Sequence, residues 1–212
     1  MGTLIRPTVS AAEAGLRPVR PTALERHAAF FDTNGDGFVT LRETRQRLAD
    51  LGLPAPLALF FSLLVNVFLG YLTRGRLSLE IEVKNIHRGK HPFDTDTFDE
   101  NGTFVARAFD DIFRRSAEPR DRVTEAELVK VLEWRGDPDR PFGLIGSGLS
   151  KAFSLLEVRV LFCLAADCEK QLHGEPHPAI SRKTLQRFFD GKLFYILARR
   201  RRIKLALGEI EG

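Results

Sequence analysis

Sulfur and hydroxylated aromatics are scarce in this chain of 212 residues, which holds 2 Cys, 1 Met, 2 Tyr and 1 Trp. Cys163 and Cys168 lie close together in an apolar, helix-like segment and are too few to build a disulfide framework. The opening residues, MGTLIRPTVS, contain neither an apolar signal core nor a cleavage site. Arg6 stands where a myristoylation signal following Gly2 requires Ser or Thr. A reduced, cytosol-facing protein is expected. The motifs HExxH, CxxC and CxxCH are all missing, and the last absence excludes covalently attached haem. Zinc-finger spacing, an RNA-recognition motif and a basic region running into heptads are missing too, which argues against nucleic acid as a partner.

What is present is apolar enough, at 43%, to bury a core without covalent staples. The chain carries 17 Phe and 5 His. Net charge is only +4, yet the sequence pI is about 9.3. The basic excess is local, in Arg199, Arg200, Arg201, Arg202 and Lys204. Such a run suits an anionic membrane surface or a solvated helix end.

Residues 1–21, with Pro7, Pro18 and Pro21 and no sustained periodicity, read as a disordered N-terminal tail. Thr22 and Glu25 form a T-x-x-E capping box that starts a helix through His27, Phe30 and Phe31. A loop from Asp32 and a helix carrying Leu41, Leu48 and Leu51 complete a helix–loop–helix over 22–52. An apolar segment follows over 53–76, uncharged up to Leu72 and interrupted at its start by Pro54 and Pro56. From Leu57 onward a helix would span about 24 Å, against about 30 Å of hydrocarbon. The expectation is therefore a buried core helix or a segment embedded in one leaflet, not a clean transmembrane helix.

Leu77, Leu79, Ile81 and Val83 alternate with polar residues as a short strand does. The remainder, 77–212, reads as helical. Phe109, Ile112 and Phe113 recur at helical spacing, Thr124 and Glu127 form a second capping box, and helices are expected over about Ala152–Ala166 and Ser181–Asp190. Helix, loop, short β-like contact and helix recur about three times. The fold class expected is mainly α: EF-hand-like helix–loop–helix pairs around a central apolar helix, with minor β contacts and 22–52 integrated with 77–212.

Asp32, Asn34, Asp36, Gly37, Thr40 and Glu43 fall at positions 1, 3, 5, 6, 9 and 12 of a calcium-binding EF-hand loop. The spacing follows from the ion, which takes six to eight oxygens at about 2.3–2.6 Å. Asp32, Asn34 and Asp36 supply side-chain oxygens, Phe38 its backbone carbonyl, and Thr40 an oxygen directly or through water. Glu43, on the exiting helix, supplies two, and Gly37 permits the sharp turn. Val39 is the apolar contact to a partner loop. A loop from Ser116 to Glu127 has a cation, Arg120, at position 5, and one beginning at Asp167 is too long. One calcium site with degenerate partners is expected.

Three histidines stand out: His27, on the helix entering the calcium loop, and His87 and His91 in NIHRGKH. Neutral imidazole is a common ligand of transition metals and haem iron. LERHAAFFDTNGDGFVTLRET resembles the caleosins, calcium-dependent peroxygenases. So do KNIHRGKHPFDTDTFDENGTFV, AFDDIFRR, VTEAELVKVLE and FFDGKLFYILARRRR. The resemblance covers residues 22 to about 202 in the family's order, and the NIHRGKH block is its most diagnostic piece.

The resemblance implies a haem b enzyme with one calcium ion. It would transfer one oxygen from a fatty-acid hydroperoxide to an unsaturated fatty acid, an aromatic or a sulfide. It also implies residence at a lipid-droplet or endoplasmic-reticulum surface on the cytosolic face, with a phospholipid partner, self-association and a soluble form left open. The family's two essential histidines match His27 and His91, and His87 matches a further recurrent position as an alternative ligand. Either of the first two ligates iron while the other serves as acid–base, or both ligate. The stretch TRGRLSLEIEVK lacks the proline-rich knot of plant members, which leaves peripheral or partial membrane contact through Leu57–Leu72. The alternative from another class is a non-enzymatic calcium-binding protein of lipid droplets or membranes. His173 and His177 receive no role.

Overall fold

Thr22 opens helix α1 (Ala23–Ala29) with the expected capping box: its hydroxyl accepts from the Glu25 amide at 3.1 Å, and Glu25 accepts from the Thr22 amide at 2.7 Å. The computed structural model describes residues 20–114, 121–136, 146–173 and 178–210. Most of the tail expected over 1–21, and the beginning of the Ser116 loop, lie outside those residues, as does His177. The calcium loop leads through strand β1 (Phe38–Val39) into α2 (Leu41–Asp50). Then come α3 (Ala55–Arg74), β2 (Ile81–Glu82) and a 3₁₀ helix over Val83–Gly89. The second half runs α4 (Ala106–Arg114), β3 (Arg122–Thr124), α5 (Glu125–Arg135), α6 (Gly146–His173), β4 (Ala179–Ser181), α7 (Arg182–Phe189) and α8 (Leu193–Ala206). The protein is mainly helical, as its sequence implies.

Two short antiparallel contacts tie the loops together. β1 pairs with β2, Val39 opposite Ile81, and β3 pairs with β4, Val123 opposite Ile180. Of the strand expected over Leu77–Val83, only Ile81–Glu82 forms a named strand, because its partner β1 is itself two residues long. The main core joins Phe30 to α4–α8 residues such as Phe109, Ile112, Leu128, Phe162, Leu185 and Leu197. A smaller cluster of Ala28, Val39, Ile81 and Ile86 sits beside it.

The apolar run differs from expectation in length. Pro54 caps α3 and Pro56 stands in its first turn, where a missing amide hydrogen costs nothing, so the prolines start the helix instead of interrupting it. The helix has 20 residues, about 30 Å, and is apolar and long enough to span a bilayer by length and composition. Yet its buried residues, Phe68 apart, are small or polar: Ala58, Ser62, Asn66, Gly70 and Thr73. Asn66 is 0% exposed and its amide donates to the carbonyls of Val39 at 3.1 Å and Leu79 at 2.7 Å. Thr73 accepts from the Glu82 amide at 3.1 Å. Gly70 is required because a Cβ there would lie 2.4 Å from the Ser78 carbonyl oxygen. The polar stripe thus packs on the loops, while Leu57, Phe60, Leu63 and Val67 face outward, Phe60 at 56% exposure.

Candidate functional site

The Asp32–Glu43 loop, expected to bind calcium, folds onto its own amides. Asp32 accepts from Gly35 at 2.8 Å and Gly37 at 2.9 Å, Asn34 from Asp36 at 3.0 Å, and Asp36 from Phe38 at 2.8 Å. Gly37 has φ +86°, a left-handed turn that a side chain would strain. Glu43 caps α2: one carboxylate oxygen accepts from the amide and hydroxyl of Thr33, the other from those of Thr40. Burial alone would raise the Glu43 pKa, but these hydrogen bonds override it and hold the carboxyl at about 2. Among the described residues no three His, Cys, Asp or Glu side chains converge as metal ligands. The oxygen-only donor set of Asp32, Asn34, Asp36, Phe38, Thr40 and Glu43 around a left-handed glycine nonetheless fits calcium and no softer ion.

Beside this loop lies a largely apolar cavity of about 270 Å³. His27 and His91, 64 positions apart in the chain, both line it, whereas His87 does not. His87 instead stands half-buried near Gly102. The loop and the cavity share a wall: Phe31, Val39, Thr44 and Leu48 line the cavity from the calcium-loop motif.

His27 is half-buried and lines the cavity. Its ring meets Phe188 and Phe194 edge-on, with centroids 4.7 and 4.8 Å apart. Nδ1 lies 3.1 Å from the Phe188 carbonyl oxygen. A carbonyl only accepts, so Nδ1 carries the proton and the Nε2 lone pair is left for a ligand. Burial lowers the His27 pKa, more than the Phe188 hydrogen bond and Glu157 raise it, which keeps the ring neutral. Gly191 makes this seat possible. It has φ +74°, and a Cβ there would lie 2.6 Å from the His27 amide nitrogen.

His91 is 7% exposed and differently held. The Ser154 hydroxyl donates to the Phe93 carbonyl at 2.6 Å, so its oxygen accepts from His91 Nδ1 at 3.2 Å. His91 Nε2 then faces Glu157 Oε2 at 3.6 Å. Burial would lower the His91 pKa, but Glu157 and Asp94 outweigh it and raise it. The two histidines are therefore tuned in opposite directions, one toward a neutral lone-pair donor and one toward a proton carrier. Asp94, also at the cavity, is pushed up mainly by burial.

Sequence reasoning missed Ser154, Glu157, Gly191 and Asn66. Ser154 and Glu157 are spaced i, i+3 on α6, one helical face, but nothing in their spacing points to a histidine 63 positions away.

A family model described as caleosin related protein matches residues 20–198. The chain is 35% identical over 193 residues to a protein named Probable peroxygenase 4 from Arabidopsis thaliana, covering 88% of this chain and 91% of that one. It is 31% identical over 207 residues to a protein named Peroxygenase from Lilium longiflorum, covering 90% and 80%. No solved structure matches.

Proposed function

The chain belongs to the caleosin family, and on that footing we propose that it is a calcium-dependent haem peroxygenase. It moves one oxygen from a fatty-acid hydroperoxide to an unsaturated fatty acid, a small aromatic or a sulfide. One observation carries the reading: two histidines from distant segments line one apolar cavity, and their opposite environments suit two different roles.

The residues fit haem b. His27 offers Nε2 in a fixed tautomer, aromatic and aliphatic side chains form apolar walls, and Lys90, paired with Asp96 at 3.1 Å, is a cation among the described lining residues that propionate groups could share. Bound there, haem would supply the peroxide-cleaving oxygen chemistry that no side chain provides. The chain's own work is orientation, water exclusion and proton movement. His91, held at Nδ1 by Ser154, carries a proton at Nε2 that Glu157 stabilises, and could pass it to the alkoxide that departs from the hydroperoxide as its alcohol and recover the proton of the hydroperoxide. His27 is thus the ligand and His91 the acid–base group, with His87 in neither role.

Calcium binding at Asp32–Glu43 would fix α1 and α2, which carry His27, Thr44 and Leu48 to the cavity. The β1–β2 and β3–β4 contacts support two EF-hand-like pairs, one with the calcium loop and one degenerate. The outward face of α3 supports contact with a phospholipid surface of a droplet or the endoplasmic reticulum, lying in the interface and not crossing it, since its other face is committed to the loops.

Reconstitution with haem tests the assignment. Wild-type protein should develop a Soret band, His27→Ala should lose it, and His91→Ala should keep it while losing oxygen transfer. A protein that stays colourless with full calcium affinity would sink the enzyme reading.

A further inference from the structure

Three rings meet at the His91 end of the cavity and limit what can approach that histidine; this step rests on the peroxygenase reading. Phe153 stands one position before Ser154 on α6, lines the cavity and is 2% exposed. Its ring stacks on Phe68 of α3, with centroids 4.0 Å apart and planes 11° from parallel. Phe68 is buried too and is not among the described lining residues, so it backs Phe153 from behind. The His91 ring meets both rings edge-on, its centroid 5.8 Å from that of Phe68 and 5.9 Å from that of Phe153. Being equidistant from the two, His91 lies beside the seam of the stack.

Such a wall does not yield easily. A buried ring stacked on a second buried ring turns aside only by giving up that contact in a close-packed interior. The same turn of α6 is pinned by Ser154, which donates to the Phe93 carbonyl and accepts from His91. The proton that His91 moves belongs to the peroxide oxygens, so the carbon bearing them comes to rest against this wall. A flat, fixed wall sorts ligands by width. A slim secondary carbon in an unbranched chain lies along it, whereas a tertiary, aryl-substituted carbon presses into it. Apolar pockets separate ligands that differ by one methylene by roughly 10- to 200-fold.

We propose that Phe153 is a specificity-determining residue and Phe68 its positioning residue: together they set the width allowed to the carbon that carries the hydroperoxide at His91. Calorimetric titration of the full-length protein, with and without haem, by sec-octyl alcohol and by cumyl alcohol compares a slim and a wide ligand in the absence of chemistry. Phe153→Ala should shift the ratio of the two affinities toward the wide alcohol by roughly tenfold. Phe153→Leu, which keeps an apolar side chain should the alanine variant fail to fold, should shift it the same way. Phe68→Leu should shift it by less, because Phe153 then loses its backing but keeps its ring. A ratio within about twofold of wild type in folded Phe153→Leu overturns the proposal. Oxygen transfer to a sulfide from sec-octyl hydroperoxide and from cumene hydroperoxide separates the two levels. Absent transfer from both in the wild type sinks the peroxygenase reading, whereas transfer with an unchanged preference in the Phe153 variants sinks only the selectivity role.

Discussion

Asn66→Ala probes whether α3 stays docked against the calcium loop. Asn66 is fully buried and donates two hydrogen bonds, to Val39 and Leu79 carbonyls on the two strand-forming segments. Each such bond contributes about 1 kcal/mol net, and a buried carbonyl deprived of its donor costs about 1–3 kcal/mol. The expected loss is therefore about 2–4 kcal/mol, which for a chain of this size lowers Tm by roughly 5–15 °C. Asn66→Asp should be worse near neutral pH, because it sets a carboxylate against two carbonyl oxygens, and should recover as acid protonates it. Thermal melts by circular dichroism, with and without calcium, give the answer. If α3 instead left the fold to cross a bilayer, Asn66 would be an isolated polar residue in hydrocarbon. Asn66→Ala would then be neutral or favourable. A Tm within 2 °C of wild type, give or take about 1 °C of error, would refute the packing argument.

Gly191→Ala should displace α1, since the new Cβ would fall 2.6 Å from the His27 amide nitrogen at a left-handed φ; a weaker haem Soret band with calcium affinity intact is expected. Glu43→Gln removes one charge and a bidentate ligand, and should lower calcium affinity by roughly 100-fold in a titration followed by calorimetry. Without calcium, the Glu43 carboxyl is held at about 2 against an ordinary 4.5, so its contribution to stability is complete above pH 4.5 and is lost as pH falls toward 2. The His91 pKa is raised, so the stability of its pairing with Glu157 is present below about pH 6.5 and lost as pH rises through the folded-state value. Glu157→Gln should flatten that alkaline decline in melts recorded across pH, and an unchanged slope would remove Glu157 from the His91 site.

The parts of the molecule written in local spacing were legible beforehand. The capping boxes at Thr22 and Thr124 and the helical periodicity of Phe109, Ile112 and Phe113 depend on residues within a few positions of one another. The pairing of His27 with His91 came only through family resemblance, because what joins them is a cavity closed by α3, α6 and α7 across more than half the chain. Ser154 and Glu157 were invisible for the same reason, and Gly191 looked like an ordinary loop glycine until α1 was found against it. The apolar run was misjudged at its start. Pro54 and Pro56 read as breaks, although proline in a first helical turn removes only an amide hydrogen that has no intrahelical acceptor.

That run also shows why hydropathy alone cannot place a segment. α3 divides its surface three ways. Asn66, Gly70 and Thr73 go to the loops, Phe61, Leu64, Val65 and Leu69 to the cavity, and Leu57, Phe60, Leu63 and Val67 outward. A core helix in water places its small and polar residues outside, and here the order is reversed, with the Asn66 amide hydrogens and the Thr73 hydroxyl meeting backbone carbonyls and an amide. Such an inversion stabilises the protein only where the outward face has something other than water to meet. A membrane-spanning helix would need every side free of such commitments, and a core helix would need the outward leucines covered. The geometry satisfies neither, and the proposed placement in an interface, polar side toward its own protein and apolar side toward lipid, would satisfy both constraints at once.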